Sequence, residues 1–140
     1  MPEAATGDPL ADVLAEDVRV LAAGRTLGIF TTLMPGGQPQ TSAVWPHADE
    51  RHILVGTNDS RQKYRNVARD PRVNILLLDP DNSRRYIEVR GRVVQVVRGE
   101  EALALARTTF TKWTGSPQVR QAEGERVLLR VRAEHIHRKE

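Results

Sequence analysis

SRQKYRNVARDPRVNILLLDP, residues 60–80, switches from helical to strand character within one stretch. Asn58, Asp59 and Ser60 offer capping side chains and Asp70-Pro71 a stop, which predicts a short helix over about Ser60 to Arg69. Val73 to Leu78 is an apolar run too short for another helix, and it predicts a fully buried strand. Asp79-Pro80-Asp81-Asn82 then turns the chain.

Upstream, the pattern has a period of two. Leu27, Ile29, Thr31 and Leu33 share one face of a strand, Pro35-Gly36-Gly37 forms a turn, and Gln40 to Trp45 makes a second strand. His52 to Thr57 follows the Asp49-Glu50-Arg51 turn as a third. Short loops between these three predict an antiparallel meander. Before them, Asp8 as N-cap, Pro9 at the first helical position and Gly24 as stop predict a helix over about 9–23. Residues 1–7 are small and polar and read as a disordered leader.

Downstream, Tyr86 to Val97 is a long strand with a bulge or bend expected at Gly91. Gly99 to about Trp113 is helical, with Leu103, Ala106 and Phe110 on its apolar face. Thr114 to Gly124 is loop. Val127, Leu129 and Val131 alternate in a last strand, with Arg130 and Arg132 on its other face. The order is α-β-β-β-α-β-β-α-β. It predicts a mainly β single domain over 8–140, a six-stranded antiparallel barrel with flanking helices.

Composition narrows the function classes. The 140 residues contain no cysteine, which excludes disulfides, a thiolate nucleophile and a cysteine zinc site. No apolar run approaches the ~20 residues of a membrane span, and no signal-peptide pattern opens the chain, so a cytoplasmic protein without membrane partners is expected. The net charge of +3 is carried mostly by arginine, which suits phosphate and carboxylate. Aromatics at 4% argue against a binder that stacks single-stranded bases, and no nucleic-acid partner is expected.

Two stretches can carry chemistry. Thr57 to Asn66 places a strand end, Ser60, Arg61 and Lys63 at a helix start, where free N–H groups favour phosphate. The same residues also fit an ordinary capped helix with a solvated basic face. Thr41, Ser42, Ala43 and Val44 are small enough for a flat ring to lie against their strand, with Trp45 as a wall; the same residues also fit a plain strand with Trp45 in the core or an interface. His135 and His137 alternate on one strand face, but no third ligand stands at metal-site spacing. No dinucleotide, Walker, nucleophile-elbow or zincin motif occurs, so any enzymatic chemistry belongs to a cofactor.

RTLGIFTTLMPGGQPQTSAVW, SRQKYRNVARDPRVNILLLDP, RRYIEVRGRVV and RVLLRVRAEHIHR together resemble the pyridoxamine 5'-phosphate oxidase-like split-barrel family. The similarity runs from about Leu10 to His137 and is greatest to the branch of F420-dependent, deazaflavin reductases. It implies a six-stranded split β-barrel and a homodimer with the flavin or deazaflavin between subunits. By the same resemblance Ser60, Arg61 and Lys63 hold the cofactor phosphate, with Asn66 and Thr57 nearby. Thr41, Ser42, Ala43, Val44 and Trp45 lie along the ring. Tyr86 belongs to the site, supplied across the subunit interface, and Trp113 borders the substrate opening.

The expected function is F420-dependent hydride transfer to a small conjugated or heteroaromatic acceptor. FMN is the alternative cofactor, in an oxidase or flavin reductase of the same fold. A non-catalytic flavin, deazaflavin or haem binder is the other class. No general acid stands out; Tyr86 or solvent is the expected proton source.

Overall fold

The computed structural model describes residues 13–140. Ten elements follow in order: α1 (Glu16–Ala23), β1 (Gly28–Leu33), β2 (Pro39–Val44), β3 (His47–Ala48), β4 (Ile53–Asn58), α2 (Gln62–Arg69), β5 (Arg72–Leu78), β6 (Tyr86–Arg98), α3 (Glu100–Thr114) and β7 (Arg126–Lys139). Among the described residues no helix is long and apolar enough to cross a membrane.

The sheet has seven antiparallel strands in the order β2-β1-β5-β6-β7-β4-β3 and is not closed. This corrects the expected six. The added strand, β3, is two residues pairing with Leu54 and Ile53, too short for any periodicity to announce it. The meander is corrected too. β1 and β2 form the expected hairpin, but the next strands cross to the far edge, where β4 pairs with β7. Loop length alone did not distinguish a hairpin from that crossing.

One face of the sheet carries the core. Phe30, Ile53, Val55, Ile75, Leu77, Ile87, Val89, Leu129 and Val131 are all essentially inaccessible, and Val18 and Leu21 of α1 pack with them. Burying one such branched side chain contributes about 1.5–3 kcal/mol. In β1 the core face is Phe30 and Thr32; Leu27, Ile29, Thr31 and Leu33 lie on the other face. The fully buried strand is corrected likewise. Val73, Ile75 and Leu77 are buried, while Asn74, Leu76 and Leu78 are half-buried on the outer face.

Register aligns that outer face into rows. Ala43, Ile29, Leu76, Glu88 and His137 are successive partners across β2-β1-β5-β6-β7. Ile29, Leu76, Tyr86 and His137 border a shallow hollow of about 460 Å³.

Gly91 sits at the expected irregularity in β6–β7 pairing. A Cβ there would lie 2.0 Å from the Arg132 carbonyl oxygen, so only glycine lets the backbones approach this closely.

α1 begins at Glu16 rather than near residue 9; Val13, Leu14 and Ala15 are not helical. The Asp8 cap, Pro9 and the leader lie outside the described residues. Asp17 Oδ1 accepts from the Val18 N–H in the first turn, and Gly24 closes the helix as expected. In α3 the buried residues are Ala102, Leu105, Ala106 and Thr109. Leu103 and Phe110 are only half-buried.

Candidate functional site

α2 starts at Gln62, two residues later than predicted, and no side chain caps it. The expected capping groups are engaged elsewhere. Ser60 Oγ donates to the Glu123 carbonyl at 2.9 Å, and Asp59 Oδ1 accepts from the Glu125 N–H at 2.9 Å. The Asp59 N–H donates in turn to the Glu125 carbonyl. These bonds dock the loop between α3 and β7 onto the turn before α2. Gly124, at φ +84°, fits against Asp59 and Ser60 where a Cβ would clash.

This docking closes one side of a cleft of about 430 Å³. Ala43, Val44 and Trp45 enter it from the end of β2. Thr57 and Asn58 come from the end of β4, and Arg61 and Lys63 from the start of α2. Phe110 comes from α3, and Arg120 and Arg126 from the docked loop and the start of β7. Four cations and no carboxylate therefore line it among the described residues. None of the four forms an ion pair among the described residues. Elsewhere arginines pair with carboxylates, as in Arg72–Asp70, Arg85–Asp79, Arg98–Asp59 and Arg138–Asp17.

Two of these cations are disfavoured in the empty cleft. Burial, then the neighbouring Arg61 charge, push the Lys63 ammonium below its usual pKa. Burial alone lowers Arg126. A bound anion would relieve both. The Asn58 side-chain oxygen is buried beside them without a donor, an unsatisfied group of the kind that functional sites retain.

The cleft's other wall is aromatic. Trp45 meets Phe110 edge-on at 5.3 Å and stacks on Trp113 at 5.4 Å with an 11° interplanar angle. Arg25 covers Trp113, its guanidinium carbon 4.6 Å from the ring centroid. Trp113 thus backs Trp45 without lining the cleft. Behind them, Lys112 Nζ donates to the carbonyls of Ala23 and Pro46 at 3.1 and 2.9 Å.

Of the residues named from sequence, Ala43, Val44, Trp45, Thr57, Arg61 and Lys63 line this one cleft. Thr41 lies outside the cleft lining and bonds Thr31 on the outer sheet face, and Ser42 points its buried hydroxyl inward without a partner. Ser60 holds the docked loop. Asn66 is fully buried; its amide donates to Thr32 Oγ1 at 2.9 Å and accepts from Gln62. Tyr86 faces the outer hollow of the same chain. Sequence reasoning missed Asn58, Phe110, Arg120 and Arg126 as cleft residues. The only signal for the arginines was their number.

The family model described as pyridoxamine 5'-phosphate oxidase matches residues 14–140. The chain belongs to the pyridoxamine 5'-phosphate oxidase family. It is similar to a solved F420 reductase, with 30% identity, a TM-score of 0.77, and coverage of 89% of this chain and 98% of that one. A conserved hypothetical protein from Mycobacterium tuberculosis shares 27% identity at a TM-score of 0.68, covering 92% and 87%. HutZ, the haem storage protein from Vibrio cholerae, shares the fold at 16% identity and a TM-score of 0.65, covering 91% and 95%. The likeness to an F420 reductase supports an oxidoreductase of this fold using a flavin or deazaflavin. The cleft of this family member fits such a group: cations for its phosphate, small strand residues and an aromatic wall for its ring.

Proposed function

We propose that this protein is an F420-dependent oxidoreductase that reduces a small conjugated or heteroaromatic acceptor. The observation that carries the reading is a cleft that, among the described residues, is lined by Arg61 and Lys63 without an ion pair, by Trp45 and Phe110, and by no carboxylate. A phosphorylated, flat, anionic cofactor is complementary to both sets of side chains. When bound, a reduced deazaflavin supplies the hydride.

The chain's own residues bind and position. Arg61 and Lys63 take the phosphate with two kinds of donor, a planar fork and a point charge. Ala43 and Val44 leave room for the ring along β2. Trp45, held from behind by Trp113, excludes water from the ring's face. No carboxylate or histidine lines the cleft among the described residues, so protonation of the product falls to solvent or to a group from a second subunit.

A homodimer is part of this reading. The aligned outer row from Ala43 to His137 and the half-buried Ile29, Leu76 and Tyr86 form a surface for a second copy. That row ends at Ala43, which also lines the cleft. Tyr86 would then reach the site from the partner. FMN offers the same phosphate and a similar ring and is the second reading.

The test is anaerobic mixing of the protein with reduced F420 and a panel of conjugated acceptors, following the return of oxidised deazaflavin absorbance. Turnover with at least one acceptor supports the reductase. Tight binding without turnover across the panel points to a binding protein instead.

A further inference from the structure

We propose that Thr32 and Asn66 are positioning residues, which fix the span between the phosphate grip at the start of α2 and the ring strand β2 so that one ligand reaches both. This rests on the reading above, in which Arg61 and Lys63 take the cofactor phosphate.

An unbroken run of side-chain hydrogen bonds joins the two elements. Gln62 Nε2 donates to Asn66 Oδ1 at 2.8 Å, Asn66 Nδ2 donates to Thr32 Oγ1 at 2.9 Å, and the Thr32 hydroxyl donates to Gln40 Oε1 at 2.8 Å. Every donor points the same way, from α2 towards β2, so each bond polarises the next. The run ends beside the cleft residues at both sides. Gln62 stands between Arg61 and Lys63 in the chain, and Gln40 precedes Ala43 on β2. Arg65 clamps Gln62 from its other side, donating to Gln62 Oε1 at 2.8 Å and to the Ser60 carbonyl at 2.7 Å.

Polar contacts therefore set where α2 lies. Of its eight residues only Asn66 and Val67 are buried, and no side chain caps its start. At its far end Arg69 donates to the Leu33 carbonyl, the next residue of the same strand β1. Apolar contact is non-directional and tolerates sliding. A hydrogen bond between the fully buried Asn66 amide and the fully buried Thr32 hydroxyl does not. Thr32 and Gln40 are register partners across β1 and β2, so the bond that holds α2 to Thr32 also holds it to the ring strand. Leucine and valine would fill the same space with no polar atom to satisfy; the polar pair imposes one spacing instead.

Paired titrations test this, with FMN against riboflavin, and F420 against the ribityl deazaflavin that lacks its phosphate and tail. The ratio within a pair reads how well ring and phosphate are gripped at once. Wild type should favour the phosphorylated member about a hundredfold, the scale of two charge-assisted bonds. Thr32→Val keeps the shape and loses the hydroxyl; it should lower the ratio about tenfold while affinity for the phosphate-free member stays within about twofold. Thr32→Ser keeps the hydroxyl and loses a methyl, and it should retain the wild-type ratio. Gln40→Leu, at the half-buried end of the run, should act as Thr32→Val does and replaces it if that variant folds poorly. A ratio unchanged in Thr32→Val and Gln40→Leu but erased in Lys63→Ala would overturn the proposal and leave the phosphate grip standing. Equal losses in Thr32→Val and Thr32→Ser would overturn it as well, because packing alone would explain them. A wild-type ratio near one would remove the phosphate grip itself, and the proposal with it.

Discussion

Trp113 lies almost parallel to Trp45, 5.4 Å away, and so acts on the cleft through the ring that faces it. A double-mutant cycle on Trp45→Leu and Trp113→Leu should give a coupling of about 0.5–1.5 kcal/mol in urea unfolding. Trp113→Leu alone should also weaken binding of a flat ligand, although Trp113 does not line the cleft. Additive stabilities, with ligand affinity unchanged in Trp113→Leu, would separate the two rings.

Lys112 makes the contact that holds this wall in place, and it sets a pH dependence. Its Nζ reaches His47 Nδ1 at 3.2 Å as well as two carbonyls. Burial pushes Lys112 down to about 8 from its ordinary 10.5. Burial first, then the Lys112 charge, hold His47 below 6.5, against the pull of Asp49. Below pH 6.5 the unfolded chain takes up a proton that folded His47 resists, so stability falls on acidification. His52, lowered mainly by burial, acts in the same direction. Between about 8 and 10.5 the unfolded chain holds a lysine proton that the folded one releases, so stability rises there. Urea midpoints at pH 5.5 and 7.5 should differ less in His47→Gln than in wild type. Lys112→Met should cost about 1–3 kcal/mol through the carbonyls left without a donor.

Gly91→Ala should destabilise by about 3 kcal/mol or more, because its Cβ would collide with main chain rather than with a movable side chain. Thermal unfolding checks it; a change under 1 kcal/mol, about the helix-or-strand propensity scale, would mean that β6 and β7 separate easily there.

Gly124→Ala tests the loop. A Cβ would stand 2.6 Å from Asp59 Oδ1 at a positive φ, so the loop should undock while the sheet survives. Proteolytic cleavage between residues 115 and 125 should accelerate, with the thermal midpoint of the core little changed. Cleavage at the wild-type rate would contradict the docking role.

Much of this arrangement is legible in sequence where one residue type has one use. Gly91 interrupts a strand pattern and marks the bulge; Pro35-Gly36-Gly37 marks the hairpin between β1 and β2. Arg61, Lys63 and Trp45 declare themselves by charge and size beside turns. What stays hidden depends on long-range pairing. Asp59 and Ser60 read as caps because local capping and loop docking require the same oxygens. β3 has too few residues for a period, and Ile29 and Leu76 look like core because an outer face can be apolar too. Arg120 and Arg126 have no local pattern; only the docked loop carries them to the cleft.

Lys63 offers the most direct test. In paired fluorescence titrations, wild type should bind F420 tightly and FMN more weakly, and Lys63→Ala should lose about 1–3 kcal/mol of cofactor affinity with its fold intact. Because Lys63 loses its proton at lower pH than a free lysine, wild-type affinity should also decline earlier on the alkaline side. Unchanged affinity in Lys63→Ala, or no binding of either cofactor by wild type, would contradict the phosphate cleft on which the account rests.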